Sequence, residues 1–271
     1  MSTAEVNGIT IGYDDTGEGA GPGETLVLVH GHPFDHSMWQ PQVEYFRAEG
    51  WRVIAADLRG YGESTVVPGI TPLSTFAEDI AALLDHLGIA RFVLVGLSMG
   101  GQIALECHRL FPQRLIGLVL ADTFAQAETP AGRADRERMA DRLLREGMAG
   151  YAAEVLPKMV APHNIEALPA VAEFVSGMMR GAPPEGAAAA LRGRARRPDY
   201  TEMLRTVVVP TLIVVGSDDQ FTPVADAEYM YDRIPTSRLV IVDGAAHLPN
   251  LERPAEFNKA LGQLLTTVQN G

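Results

Sequence analysis

A mainly parallel, twisted α/β sheet with helices on both faces is the fold this sequence predicts, and three observations predict it. Short apolar runs recur at "TLVLVH", "RVIAAD", "RFVLVG", "LIGLVLAD", "TLIVVG" and "RLVIVD", each reading as a strand buried on both faces. Segments with helical apolar spacing separate them, which calls for crossover connections and therefore parallel neighbours. Finally, 271 residues at 46% hydrophobic content suffice to bury a large core around such a sheet.

The elements follow in chain order. "VNGITIGYDD" alternates and breaks at Asn7-Gly8, the dipeptide of a tight hairpin, ahead of a Gly-rich loop. After "TLVLVH" and "RVIAAD", the segment "TFAEDIAALLDHLG" predicts a helix, with Phe76, Ile80, Leu83, Leu84 and Leu87 at helical spacing and Gly88 as the stop. "RFVLVG" then runs into "GGQIALECHRLF", again of helical spacing. From about Phe124 to Arg197 the strands cease. The segments "RADRERMADRLLREG", "MAGYAAEVLPKMV" and "AVAEFVSGMMRG" are amphipathic there, so residues 125–199 are expected to form a helical cap. The cap interrupts a core made of residues 1–124 and 200–271. Its Met148, Met159, Met178 and Met179 are expected to pack, with an adaptable pocket lining as the alternative. "TLIVVG" and "RLVIVD" complete the sheet.

Charge narrows the partners. A formal net charge of -12 disfavours nucleic acid and anionic membrane surfaces. The densest basic run, "LRGRARRPDY" with Arg192, Arg194, Arg196 and Arg197, carries no nucleic-acid motif and is expected to be a solvated face. The single cysteine, Cys107, cannot close an internal disulfide and is expected in the core. "MSTAEVNGIT" is not a charged-then-apolar leader, and no apolar run approaches the roughly 20 residues of a membrane span. A cytoplasmic protein acting on a small molecule is the expectation; oligomeric state is not encoded in these patterns.

The chemistry centres on "VLVGLSMGGQIALEC", where Gly96 and Gly100 flank Ser98 as G-x-S-x-G between a strand and a helix. A serine on so tight a turn is forced into strained backbone geometry, and side chains two positions away would collide. The following helix N-terminus offers N–H groups to a developing negative charge. A serine hydroxyl needs a base, and the base needs an orienting group. Of the seven histidines, His86 and His108 fall in helical patterns, His163 in the cap, and His30 and His36 in a loop where they read as structural. His247 follows the last strand at the carboxyl-end face where parallel sheets bind ligands, and it is the expected base. For the acid, "TLIVVGSDDQFTP" offers Asp219, with Asp218 beside it and Asp122 after "LIGLVLA" as alternatives. The oxyanion donors are expected at the backbone N–H groups of Met99 and of His32, in "HGHPFDHSMW".

With "HGHP", "DLRGYGES", "GLSMGG", "GSDDQFTP" and "GAAHLPNLERP" in this order, the chain resembles the α/β-hydrolase superfamily over nearly its whole length. Within it, the chain is similar to small bacterial carboxylesterases, non-haem perhydrolases and 3-oxoadipate enol-lactonases, the last through "AAHLPNLERPAEFN". The resemblance implies the α/β-hydrolase fold, nucleophile, acid and base at Ser98, Asp219 and His247, and oxyanion donors at His32 and Met99. It implies neither a metal nor an organic cofactor. One departure is His32, where perhydrolase-like members often carry a bulky aromatic. Haloalkane dehalogenases share the fold but use a carboxylate nucleophile, against Ser98. Asp57 and Arg59 of "DLRGYGES" are expected to hold loops. The expected activity is hydrolysis of a small carboxylic ester or lactone through an acyl-enzyme. One alternative is carbon–carbon hydrolysis of a vinylogous diketone, which would need Arg180, Arg192 or Arg194 directed into the pocket. The other is a ligand receptor on the same scaffold.

Overall fold

The computed structural model describes residues 1–17 and 25–270; most of the expected Gly-rich loop, at 18–24, lies outside the described residues. Strands β1 (Ser2–Val6) and β2 (Ile9–Asp15) form the hairpin, turning on Asn7 and Gly8 with φ of 49° and 77°. Then come β3 (Thr25–Val29), α1 (Gln40–Ala48), β4 (Arg52–Ala56), α2 (Leu73–His86), β5 (Phe92–Leu97), α3 (Met99–Leu110) and β6 (Leu115–Ala121). Five α-helices follow: α4 (Pro130–Glu146), α5 (Ala149–Met159), α6 (Pro162–Ala167), α7 (Pro169–Gly181) and α8 (Pro184–Arg194). The chain closes with β7 (Thr211–Gly216), α9 (Val224–Tyr231), β8 (Ser237–Val242), α10 (Pro249–Glu252) and α11 (Pro254–Gln269).

The eight strands form one sheet in the order β1-β2-β4-β3-β5-β6-β7-β8. β2 runs antiparallel to β1 and β4, and every other pair is parallel. This is the predicted α/β architecture. Every residue of β3, β5 and β7 is buried, as a strand covered by helices on both faces requires. The last run departs from its expectation: β8 is the sheet edge, and Arg238 and Ile241 are exposed rather than buried. Cys107 is buried in α3, and burial pushes its thiol pKa up. Met148, Met159, Met178 and Met179 are buried. No helix among the described residues is long and apolar enough to cross a membrane.

Register fixes where chemistry can occur. Val29 pairs with Gly96, Leu97 with Ala121, Ala121 with Val214, and Gly216 with Val242, so the carboxyl ends of five adjacent parallel strands share one edge. The helical segment is fastened to this edge through α8. A Cβ on Gly60, in the loop after β4, would lie 2.7 Å from the Cα of Gly186, and one on Gly193 would lie 1.7 Å from the Thr71 carbonyl oxygen. Thr71 N–H donates to Ala189 O at 3.0 Å. Backbone therefore packs on backbone, which only glycine permits at such distances.

The basic run after α8 is not a uniformly solvated face. Arg196 is exposed and Arg192 pairs with Glu137 and Asp141, but Arg194 and Arg197 are buried. The docking of α8 turns alternate members of the run inward, a consequence of helical period that charge density alone hides.

Candidate active site

Ser98 occupies the turn between β5 and α3 with φ 58° and ψ −114°, a left-handed backbone that costs a non-glycine residue of order 1–3 kcal/mol. Four hydrogen bonds hold it there. Its N–H donates to Ala121 O at 2.9 Å, and its carbonyl accepts from the N–H groups of Gly101 at 3.1 Å and Gln102 at 3.2 Å and from the Thr123 hydroxyl at 2.7 Å. The flanking glycines are sterically compelled: a Cβ on Gly96 would lie 2.1 Å from Gly100 O, and one on Gly100 would lie 2.2 Å from Val29 O. Ser98 begins α3, so the N–H of Met99 belongs to the helical turn that lacks internal acceptors. Gly31 packs directly on the serine, an added Cβ falling 3.1 Å from Ser98 Cβ, which brings the His32 backbone to the same corner.

The loops after β7 and β8 bring Asp219 and His247 together. His247 Nδ1–H donates to Asp219 Oδ2 at 2.7 Å, both side chains being buried, which leaves Nε2 as the lone-pair nitrogen. Asp219 Oδ1 accepts from the N–H groups of Phe221 at 2.8 Å and Thr222 at 3.2 Å, and the Thr222 hydroxyl donates to Oδ2. Burial alone would raise the Asp219 pKa; His247 and these donors outweigh it, so the carboxyl lies below its usual range. Phe221 covers the imidazole edge-on, ring centroids 5.2 Å apart.

The alternative acids are placed differently. Asp218 bonds to the Ser217 hydroxyl at 2.8 Å and faces His163 at 3.8 Å, away from His247. Asp122 lies beside the pair, its oxygen within 4.8 Å of ligand atoms of Asp219 and His247, and it accepts from Gly216 N–H at 2.9 Å. Burial, with the Asp219 charge next, pushes its pKa well above the usual carboxylate value. A second group of potential metal ligands, Asp35, His36 and Asp57, sits in the loops after β3 and β4. There Asp57 accepts from the N–H groups of His36 at 2.8 Å and Glu63 at 2.9 Å and from His36 Nδ1 at 2.8 Å, a loop clamp. Arg59 pairs with buried Asp79 at 2.6 Å, and His30 links Gly31 O to Leu58 N–H.

His32 contributes a side chain as well as a backbone. Its Nδ1 bonds the Tyr61 hydroxyl at 2.8 Å, its ring meets Tyr151 of α5 at 6.0 Å, and its buried Nε2 has no hydrogen-bond partner among the described residues. Burial first, then Arg194 and Arg136, hold this imidazole well below its ordinary pKa and therefore neutral.

Several residues were not singled out from sequence. Gln102 follows Ser98 by one helical turn, a spacing that signals a shared face, and its carbonyl accepts from Arg194 Nε at 2.9 Å. Glu252 lies within the "LERP" motif, yet nothing in the pattern reveals that it accepts from Ala246 N–H at 2.8 Å, Ala161 N–H at 2.8 Å and Asn164 Nδ2 at 2.7 Å. It thereby ties the loop carrying His247 to α6. Among the arginines of α7 and α8, Arg180 and Arg192 make ion pairs with partly exposed carboxylates, whereas Arg194 is buried.

Comparison with known proteins adds four similarities. Residues 26–260 match the model of the alpha/beta hydrolase family. The chain is 30% identical to 3-oxoadipate enol-lactonase 2 of Acinetobacter baylyi over 260 residues, covering 96% of this chain and 94% of that protein. Among solved structures, a malate-bound thermophilic esterase from Thermogutta terrifontis superposes with a TM-score of 0.93 at 38% identity, covering 98% of each chain. The enol-lactonase from Burkholderia xenovorans superposes with a TM-score of 0.90 at 29% identity, covering 98% of this chain and 100% of that one.

Proposed function

The chain belongs to the alpha/beta hydrolase family, and on that premise we propose that it is a serine hydrolase opening a small carboxylic ester or lactone through an acyl-enzyme on Ser98, His247 and Asp219. The observation that carries this reading is the buried Asp219–His247 hydrogen bond of 2.7 Å at the strand edge where Ser98 emerges in left-handed geometry. Similarity to enol-lactonases and an esterase supports the substrate class.

Each step has a residue to perform it. Ser98 Oγ attacks the carbonyl carbon while His247 Nε2 takes its proton, and the Met99 and His32 N–H groups hold the oxyanion. Collapse breaks the C–O bond, and the imidazolium returns its proton to the departing alkoxide; in a lactone that alcohol stays tethered to the acyl group. Water, deprotonated by His247, then attacks the acyl-enzyme and releases the acid and Ser98. Asp219 remains ionised throughout and stabilises the imidazolium. No step requires a metal or an organic cofactor. In the same reading, residues 125–199 are the cap over this site, on a core of residues 1–124 and 200–271.

Hydrolysis of a panel of p-nitrophenyl esters and small lactones by wild type and Ser98→Ala tests the assignment. Turnover that vanishes in the variant is expected; wild-type rates in Ser98→Ala would overturn it.

A further inference from the structure

Two buried histidines of one loop are used differently. His30 engages both ring nitrogens inside the fold: Nδ1–H donates to Gly31 O at 2.8 Å, and Nε2 accepts from Leu58 N–H at 2.9 Å. His32 engages one. Its Nδ1 meets the Tyr61 hydroxyl at 2.8 Å, and its equally buried Nε2 has no hydrogen-bond partner among the described residues. Buried polar groups are normally paired, so an unpaired ring nitrogen in a loop otherwise closed by hydrogen bonds points to a ligand.

Tyr61 decides what kind of partner Nε2 takes. The phenol is fully buried, and among the described residues its hydroxyl meets His32 Nδ1 alone. If Nδ1 carried the proton, the phenol O–H would be stranded without an acceptor and Nε2 would be a bare lone pair, two unmet groups instead of one. The phenol therefore donates to Nδ1, and the ring proton sits on Nε2. Burial, then the charges of Arg194 and Arg136, hold the ring neutral, so Nε2–H is an uncharged donor of fixed direction.

The surroundings of the ring locate this donor. Gly31 packs on Ser98, so the His32 backbone stands beside the serine, and the ring meets Tyr151 of α5 while the charges of Arg136 of α4 and Arg194 of α8 act on it. The imidazole thus lies where the strand-edge loops meet the helical segment. Strand order then sorts the two ends of a substrate. β3, which leads to His32, lies on one side of β5 and Ser98, whereas β7 and β8, which lead to Asp219 and His247, lie on the other. A leaving oxygen must face His247 to take its proton, so the His32 ring serves the acyl side.

We propose that the His32 side chain is a specificity-determining donor whose Nε2–H bonds a neutral acceptor oxygen on the acyl chain, with Tyr61 as the positioning residue that fixes its tautomer. This rests on the hydrolase reading, because it takes Ser98 as the acylated residue. His32 then meets the substrate twice, at the oxyanion through its backbone and at the acyl chain through its ring. An imidazole reaches only a few bond lengths beyond its own backbone, so the acceptor lies close to the scissile carbonyl. A site built to satisfy such an oxygen rejects the plain alkyl chain, because the buried donor is then left unmet.

The test compares p-nitrophenyl 3-methoxypropanoate with p-nitrophenyl pentanoate, whose chains match in length and differ by one ether oxygen. Dividing each kcat/KM by the alkaline hydrolysis rate of that ester removes the inductive difference. Wild type should prefer the ether, and His32→Phe should lower the ratio roughly 3- to 30-fold, mainly through KM, with His32→Gln, which restores an N–H donor, regaining part. Tyr61→Phe should lower it less, since the ring stays and only its tautomer is released. General damage to a variant affects both esters alike and cancels in the ratio. Independently of turnover, the nitrogen-15 spectrum of Ser98→Ala should show a neutral His32 ring protonated at Nε2, and methyl 3-methoxypropanoate should shift that resonance where methyl pentanoate does not. A ring protonated at Nδ1, equal normalised use of the two esters by wild type, or an undiminished ratio in His32→Phe would overturn the donor. Failure to cleave any ester would overturn the hydrolase reading instead, and the nitrogen spectrum and titration would still decide whether His32 binds an acceptor.

Discussion

Glu252 and Arg194 are both buried charges at the contact between the strand-edge loops and the helical segment, and they are satisfied to opposite degrees. Glu252 receives two backbone N–H groups and an amide from two different parts of the chain. Arg194 donates to one neutral amide oxygen and faces two further guanidinium groups. A charge so completely bonded has no capacity left for a ligand and serves to fix the loop that carries His247. One so poorly bonded weakens the fold where it sits.

The sharpest way to break this contrast begins with the proposed catalytic group. Ser98→Ala and His247→Ala should each lower kcat by about four to six orders of magnitude, and the double variant should lose no more than either alone, since the pair acts as a unit. Additive losses in steady-state assays would mean that the two do not cooperate. Next, Asp219→Asn should cost about 10⁴-fold in kcat by favouring the wrong imidazole tautomer, whereas Asp122→Asn, at a carboxyl that accepts from Gly216 N–H while Asp219 holds the imidazole, should cost less than about tenfold. A reversal would make Asp122 the working acid.

Stability measurements sharpen the comparison directly. Glu252→Gln places an amide NH₂ against groups that donate, and thermal unfolding should show a loss of about 2–4 kcal/mol. Arg194→Met removes an unmatched charge and should leave stability unchanged or raise it by about 1 kcal/mol, a shift of roughly 2–4 °C. Equal losses in both would erase the distinction drawn here. The smallest effect concerns His36. Its hydrogen bond to Asp57 outweighs burial and raises its pKa above the ordinary imidazole value, so the folded state favours the imidazolium. That stabilisation is fully present below about pH 6.5 and is lost as pH rises through the raised value. The melting temperatures of wild type and His36→Gln should accordingly converge between mildly acid and alkaline pH.

The residues legible in advance were those whose roles are local. Gly96, Ser98 and Gly100 announce a tight turn by spacing alone, and Asp219 and His247 follow strands whose apolar runs are unmistakable. Arg194 illustrates the opposite case. Its run reads as a charged surface because composition carries no information about which way a docked helix faces, and that orientation follows from Gly60 meeting Gly186 across about 126 positions of chain. β8 was misjudged for a related reason, since an apolar run is compatible with a covered strand or an edge, and only the strand order decides. Glu252 needed partners from α6 that no periodicity connects to it.

Cys107 offers a practical consequence. It is the chain's sole thiol, and it sits without solvent exposure in the helix that Ser98 begins. A maleimide or disulfide reagent can therefore react only when α3 leaves the sheet, so its labelling rate in the native protein reads out the opening frequency of α3, residue-specific and with no engineered probe.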